Sequence, residues 1–171
     1  MNWILAIDPG PSTSGVVLAE DSNPPAIVMA DPKMNNDDIL LALSENQWQA
    51  DTLLIEQVES YGMAVGADVF ETVYQSGQFA HAWKTRTTSE AVRIPRKRVK
   101  LTLCQSMRAK DPNIRQAIID RYPPTGGGRC PQIGNKAMPG PLRHVASHAW
   151  SALALIITYI DNREEAQRGA A

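Results

Sequence analysis

The stretch at residues 4–18, ILAIDPGPSTSGVVL, narrows the possible folds more than any other part of the chain. Two short apolar runs rich in β-formers flank a turn built on Pro9, Gly10 and Pro11. Strands joined by so short a turn are antiparallel neighbours. The runs therefore predict a buried first strand over 3–8 and a second over 14–20. One residue breaks the pattern. Asp8 stands where the first run ends and the chain turns, and a carboxylate there needs a partner or a cation.

Later segments extend the hairpin into an α/β layout. AIVMAD, residues 26–31, predicts a third strand, and NNDDILLALSENQ offers an Asn cap followed by Ile39, Leu40 and Leu43 at helical spacing. DTLLIEQV predicts a fourth strand with Glu56 at its C-terminal end, and EAVRIP a fifth, stopped by Pro95. Helices are expected over 66–83, 97–107, 112–121 and 143–160, with a Gly/Pro loop over 123–142. Strands that alternate with helices late in the chain call for crossover connections. The length, 171 residues, suits one domain, expected over 1–163, with a polar tail at 164–171 that frays.

No apolar run approaches the roughly 20 residues of a membrane span, and no secretory signal pattern opens the chain. Cys104 and Cys130 lie far apart without partners at zinc-ligand spacing, which predicts reduced thiols in a cytoplasmic protein.

Net charge is −1, but the cations are unevenly spread. Ten of the 17 Lys and Arg fall between Lys84 and Arg115, opposed there by Glu90 and Asp111 alone. Such a stretch is either a solvated helix face or a surface for phosphates.

Polar residues stand out in three elements that should be core. Asp8 ends the first strand, Glu56 ends the fourth, and the apolar last helix carries His144, His148 and Ser151. If the fourth strand joins the first in parallel, Asp8 and Glu56 lie side by side at one sheet edge. Carboxylates that close repel unless a cation separates them, and hard oxygen ligands suit Mg²⁺ or Mn²⁺. Taken singly, Asp8 accepting amide hydrogen bonds from the turn and Glu56 paired with an Arg remain open. His144 and His148 have the i, i+4 spacing of a zinc pair, but no third ligand is evident.

ILAIDPGPSTSGVVL, LLIEQV, a helix bearing Gly77–Gln78 and a late HAWSALALIITY together resemble the RuvC-type Holliday junction resolvases of the ribonuclease H superfamily, their phage and prophage members in particular. The resemblance runs from Trp3 to Tyr159. It implies a ribonuclease H-like mixed five-stranded sheet, antiparallel over its first three strands and flanked by helices. It implies a metal-dependent, structure-selective DNA endonuclease that nicks four-way junctions in recombination or phage DNA processing. The metal ligands fall on Asp8, Glu56, His148 and Ser151, with Mg²⁺ as cofactor and Mn²⁺ as substitute. Ser151 departs from the family, which places an Asp there. The segment RKRVKLTLCQSMRAKDPNIRQAI resembles the one that carries two lysines near the cleaved strand, on Lys100 and Lys110 here, and Lys110 joins the catalytic set.

Arg96, Lys97, Arg98 and Arg108 are expected to hold DNA backbone, and Tyr61 to stack on an unpaired base. Gly10 and Gly15 are expected to let nucleic acid approach the backbone. A homodimer is implied by the need for two matched nicks, with the helix at 66–83 and its Val69, Phe70, Val73 and Phe79 as the interface. Two other functions fit: a binding module of the same fold with weakened catalysis, supported by Ser151, and a ribonuclease acting on RNA–DNA hybrids.

Overall fold

The computed structural model of the chain describes residues 2–60, 62 and 64–169. The first two runs form the expected hairpin: β1 (Trp3–Asp8) pairs antiparallel with β2 (Thr13–Glu20), and Asp8 lies opposite Gly15. β3 (Ile27–Asn35) pairs antiparallel with β2 and outruns the expected 26–31. Register shifts between Ser14 and Val16 and between Leu18 and Ala19 bend this ladder and let it continue to Asn35.

Asn35 then caps α1 (Asn36–Ser44), its side-chain oxygen accepting from the Asp37 amide at 2.9 Å. β4 (Thr52–Gln57) lies parallel to β1 on the side away from β2. α2 (Ala67–Thr87) crosses over to β5 (Val92–Pro95), which lies parallel to β4. The five-stranded sheet has the order β3-β2-β1-β4-β5. This is the expected mixed sheet, antiparallel over its first three strands. α3 (Arg96–Cys104), α4 (Asp111–Ile119) and α5 (Ala149–Gly169) follow.

The strands of the sheet centre are apolar throughout because both faces are covered. Ile4 and Ala6 point to one face, where they meet α5 together with residues of α3 and α4. Leu5 and Ile7 point to the other, against Ile39 and Leu43 of α1 and Phe79 and Trp83 of α2. α5 is apolar on nearly all sides over Ala152–Ile160 because it is sealed between the sheet and these helices.

Several helix limits differ from the sequence expectation, among them the end of α2, which runs to Thr87 instead of 83. α3 stops at Cys104 instead of 107, where Gln105 takes a left-handed backbone with φ 51°. α5 starts at Ala149 instead of 143. The chain over 142–147 makes separate turns, and Ser147, at φ 42°, breaks any helix before it. α5 also continues past 160 to Gly169. Its polar end is tied down by Arg163, which donates to both Asp21 oxygens at 2.6 and 2.5 Å. Arg121 similarly grips Asp161 at 2.8 and 2.6 Å. Both cysteines are free and half-buried. Among the described residues, no helix is long and apolar enough to cross a membrane.

Candidate active site

The parallel pairing of β1 with β4 brings the two strand-end acids to one edge, as their positions require. Asp8 and Glu56 are both half-buried there, with side chains 15 % and 19 % exposed. α5 begins at the same edge. His148, the residue before its first turn, places Nδ1 3.2 Å from Asp8 Oδ2. Ser151 lies one turn on and faces the same cluster.

The acids are electrostatically strained. Burial pushes the Asp8 carboxyl above the usual aspartate value, against the pull of His148, Arg96 and a hydrogen bond from Ser151. Glu56 is driven up to about 7, first by burial and then by the charge of Asp8; Arg96 opposes the rise and Asp111 adds to it. Glu56 is therefore close enough to Asp8 to feel its charge, and the positive charge of Arg96 offsets the effect of burial only in part.

A buried polar network holds the turn that carries Asp8. Ser14 donates to Asn36 Oδ1 at 2.7 Å and accepts from the Gly10 amide at 3.2 Å. Asn36 Nδ2 donates to the Gly10 carbonyl at 3.0 Å. Both side chains are almost fully enclosed. Sequence reasoning missed them. The available signal was a second Asn behind the helix cap and a Ser opening an apolar strand.

Gly15 serves the packing of the chain itself. A Cβ there would meet the His148 backbone at 2.5 Å, so its bare backbone makes room for the start of α5. At Gly10 a Cβ would meet the Thr13 carbonyl oxygen at 2.3 Å, so that glycine serves the turn itself.

The basic stretch splits. Arg96 turns inward: Nη1 donates to Ser151 Oγ at 3.3 Å and to Glu56 Oε2 at 3.5 Å, and Nη2 donates to Asp111 Oδ1. Lys97 is tied to Glu59 at 2.8 Å. Arg98 and Arg108 are exposed and Lys100 is half-buried. Lys110 is exposed at the N-cap of α4, one residue before Asp111. Tyr61 lies outside the described residues. His144 does not join His148. It lines a shallow pocket with Ile27–Ala30 of β3 and Pro141, because the turns over 142–147 separate the two imidazoles.

Arg96, Asp111, Arg115, His148, Trp150 and Ser151 are among the residues lining a cleft of about 700 Å³. Within it the Arg115 guanidinium lies 4.8 Å from the Trp150 ring centre. Among the described residues, no three His, Cys, Asp or Glu side chains stand close enough to grip an ion as they are arranged. The cation among the acids is Arg96.

No family model matches the chain, and no curated protein matches it in sequence. Solved structures do match. The structure of Thermus thermophilus RuvC aligns over 96 % of this chain and 96 % of its own, with a TM-score of 0.63 at 15 % identity. The chain shares the fold of RuvC. T. thermophilus RuvC in complex with a Holliday junction substrate aligns over 97 % of each chain, with a TM-score of 0.65 at 15 % identity.

Proposed function

We propose that this chain is a divalent-metal-dependent, structure-selective DNA endonuclease, of the kind found in phage and prophage genomes, that nicks four-way junctions as a homodimer in the cytoplasm. One observation carries the reading. Two half-buried carboxylates meet at the ends of adjacent parallel strands, beside an imidazole and a hydroxyl, with their affinity for protons raised. The donor chemistry of these residues, mostly oxygen, suits a hard cation once they draw together, and a guanidinium already stands among them. The shared fold with RuvC, solved with a Holliday junction, supports a branched DNA substrate.

Asp8, Glu56, His148 and Ser151 would hold Mg²⁺, with Mn²⁺ as substitute. Bound divalent ions supply an activated water and stabilise the charge of the phosphoryl transition state and leaving oxygen. The chain's own residues do the rest. β1 and β4 hold the two carboxylates rigidly at one sheet edge, beside the cleft-lining Arg96, His148 and Ser151. Lys110, exposed one residue before the cleft-lining Asp111, neutralises charge on the scissile phosphate. Arg98, Lys100 and Arg108 position backbone without reading bases. For the dimer, α2 offers Phe70, Val73 and Tyr74, which are 66 %, 50 % and 60 % exposed, whereas Phe79 is fully buried in the core.

A second reading, a binding module with weakened catalysis, is favoured by Ser151, which puts a hydroxyl among acids. The test is cleavage of a synthetic four-way junction against duplex, flap and RNA–DNA hybrid, with Mg²⁺ and with Mn²⁺. Paired nicks in the junction alone support the proposal. Tight junction binding without cleavage in either metal favours the second reading, and preferential cutting of the hybrid favours a ribonuclease.

A further inference from the structure

Arg96 holds a place among the acids that its basic neighbours do not. Its side chain is 21 % exposed, and one guanidinium spans two environments. The inner nitrogen reaches Glu56 and Ser151 through long hydrogen bonds of 3.5 and 3.3 Å. The outer nitrogen holds Asp111, whose side chain is 83 % exposed at the cleft rim. The inner hydrogen bonds are long, and the outer partner is exposed to water.

We propose that Arg96 is a built-in, displaceable counter-ion of the acidic site: it occupies Glu56 and Ser151 while no divalent cation is bound, and withdraws onto Asp111 when one binds. This rests on the metal reading above and adds a regulator to it. The Glu56 and Ser151 oxygens that accept from Nη1 are two of the four atoms offered to a cation. An ion on those oxygens and a guanidinium donating to them compete for the same lone pairs, and their charges repel. Withdrawal costs little, because the outer bond to Asp111 is already made and lies in water. Retention matters in the metal-free chain, because removing the cationic partner of half-buried carboxylates leaves them uncompensated. Arg96 and the metal are therefore negatively coupled: what stabilises the free protein weakens its hold on the ion.

The placement also has a sequence logic. Arg96 directly follows β5, which lies parallel to β4, so the chain delivers it to the same sheet edge as Glu56. Glu56 pairs with Ile94 in that register, two residues before the arginine.

The test uses the full chain and Mn²⁺ itself, measured by titration calorimetry and by melting temperature with and without the ion. Arg96→Gln should bind Mn²⁺ about tenfold more tightly than wild type, a coupling of ordinary size. Its metal-free melting temperature should fall, and Mn²⁺ should raise it by more than in wild type. Arg96→Lys keeps a cation and should bind with intermediate affinity, which also serves if the Gln variant fails to fold. In Arg96→Ala, guanidinium ion below denaturing concentrations should weaken Mn²⁺ binding, and it should not in wild type. A purely structural arginine gives lower melting temperatures with unchanged or weaker Mn²⁺ affinity in every folded variant, and that result overturns the proposal. Glu56→Gln separates the two levels. If it leaves Mn²⁺ affinity unchanged, the ion binds elsewhere and the metal reading itself fails. If it abolishes binding while the Arg96 variants match wild type, the site stands and the counter-ion role falls.

Discussion

Gly15 lies directly beneath His148: a Cβ built on it would come within 2.5 Å of the His148 carbonyl carbon and oxygen and 2.6 Å of the His148 Cβ. Gly15 is also the residue opposite Asp8 in the β1–β2 ladder. One bare backbone position therefore sets how closely the start of α5 approaches the hairpin, and so whether His148 reaches Asp8.

Gly15→Ala must push backbone against backbone, where no flexible side chain can yield. The expected cost is about 1–3 kcal/mol, read as a lower urea midpoint, together with weaker Mn²⁺ binding. Gly77 is the control. It lies inside α2 with nothing within 4 Å of a built Cβ. Gly77→Ala should raise stability by about 0.5–1 kcal/mol, because alanine loses less backbone freedom in a helix.

The Ser14–Asn36 network makes the next prediction. Asn36→Ala removes the acceptor for the Ser14 hydroxyl and the donor to the Gly10 carbonyl, leaving both groups enclosed. A loss of about 1–3 kcal/mol is expected. The effect should reach the site, since Gly10 lies two residues beyond Asp8. Mn²⁺ affinity should drop alongside the urea midpoint, and an unchanged affinity would mean that the turn is held by the sheet alone.

The strand ends were legible because their signal is local. Asp8 and Glu56 are acids that terminate apolar β runs, and parallel pairing of those runs fixes their meeting. Arg96 was legible only as one cation among ten. Nothing in its own neighbourhood distinguishes it from Lys97 or Arg98; the distinction comes from β5 pairing with β4, a long-range contact. The start of α5 was misplaced because 143–148 has helical composition. The break comes from the backbone of Ser147, a residue whose side chain gives no such warning. That misplacement is also why the His144–His148 spacing looked like a zinc pair.

The raised affinity of Glu56 for its proton makes stability depend on pH. In the folded, metal-free chain Glu56 keeps its proton up to about pH 7, against 4.5 ordinarily. Between those values the folded state binds more protons than the unfolded state, so this contribution to stability is full at and below about pH 4.5 and is lost as pH rises through about 7. The raised Asp8 carboxyl acts in the same direction. Urea midpoints in EDTA should therefore fall from pH 5 to pH 8, after allowance for other groups with Glu56→Gln as reference. That variant should lose less over the same range, and at pH 8 it should be the more stable of the two. Added Mn²⁺ should remove most of the fall in wild type and little of it in the variant.

Lys110 and Lys100 test how the basic stretch divides its work. Loss of a phosphate contact weakens junction binding and reduces the salt slope by about 0.9 per contact. Loss of help to the transition state lowers the rate at saturating protein instead. Lys110→Ala should mainly slow single-turnover cleavage, because Lys110 is exposed at the N-cap of α4, one residue before the cleft-lining Asp111. Lys100→Ala, half-buried on α3, should mainly weaken binding. An unchanged single-turnover rate in Lys110→Ala removes that residue from the chemistry.

Ser151→Asp addresses the residue that departs most from an all-acidic site. Its hydroxyl faces the cluster, accepting from Arg96 and donating towards Asp8, so an aspartate there enters the cleft and not the core. The new carboxylate would sit beside Asp8 and Glu56 with Arg96 as its nearest cation. In the metal-free chain the third negative charge should push the Glu56 carboxyl higher still and lower the melting temperature at pH 8, because one guanidinium must then serve one more acid. With Mn²⁺ the sign reverses. A hard anionic ligand replaces a neutral one, so affinity should rise by about tenfold or more, and the Mn²⁺-induced rise in melting temperature should exceed that of wild type. The pair of measurements is decisive because the two effects have opposite signs only if Ser151 and the ion share the site. A lower melting temperature with no gain in Mn²⁺ affinity would take Ser151 out of the ligand set and leave Asp8, Glu56 and His148 to hold the metal.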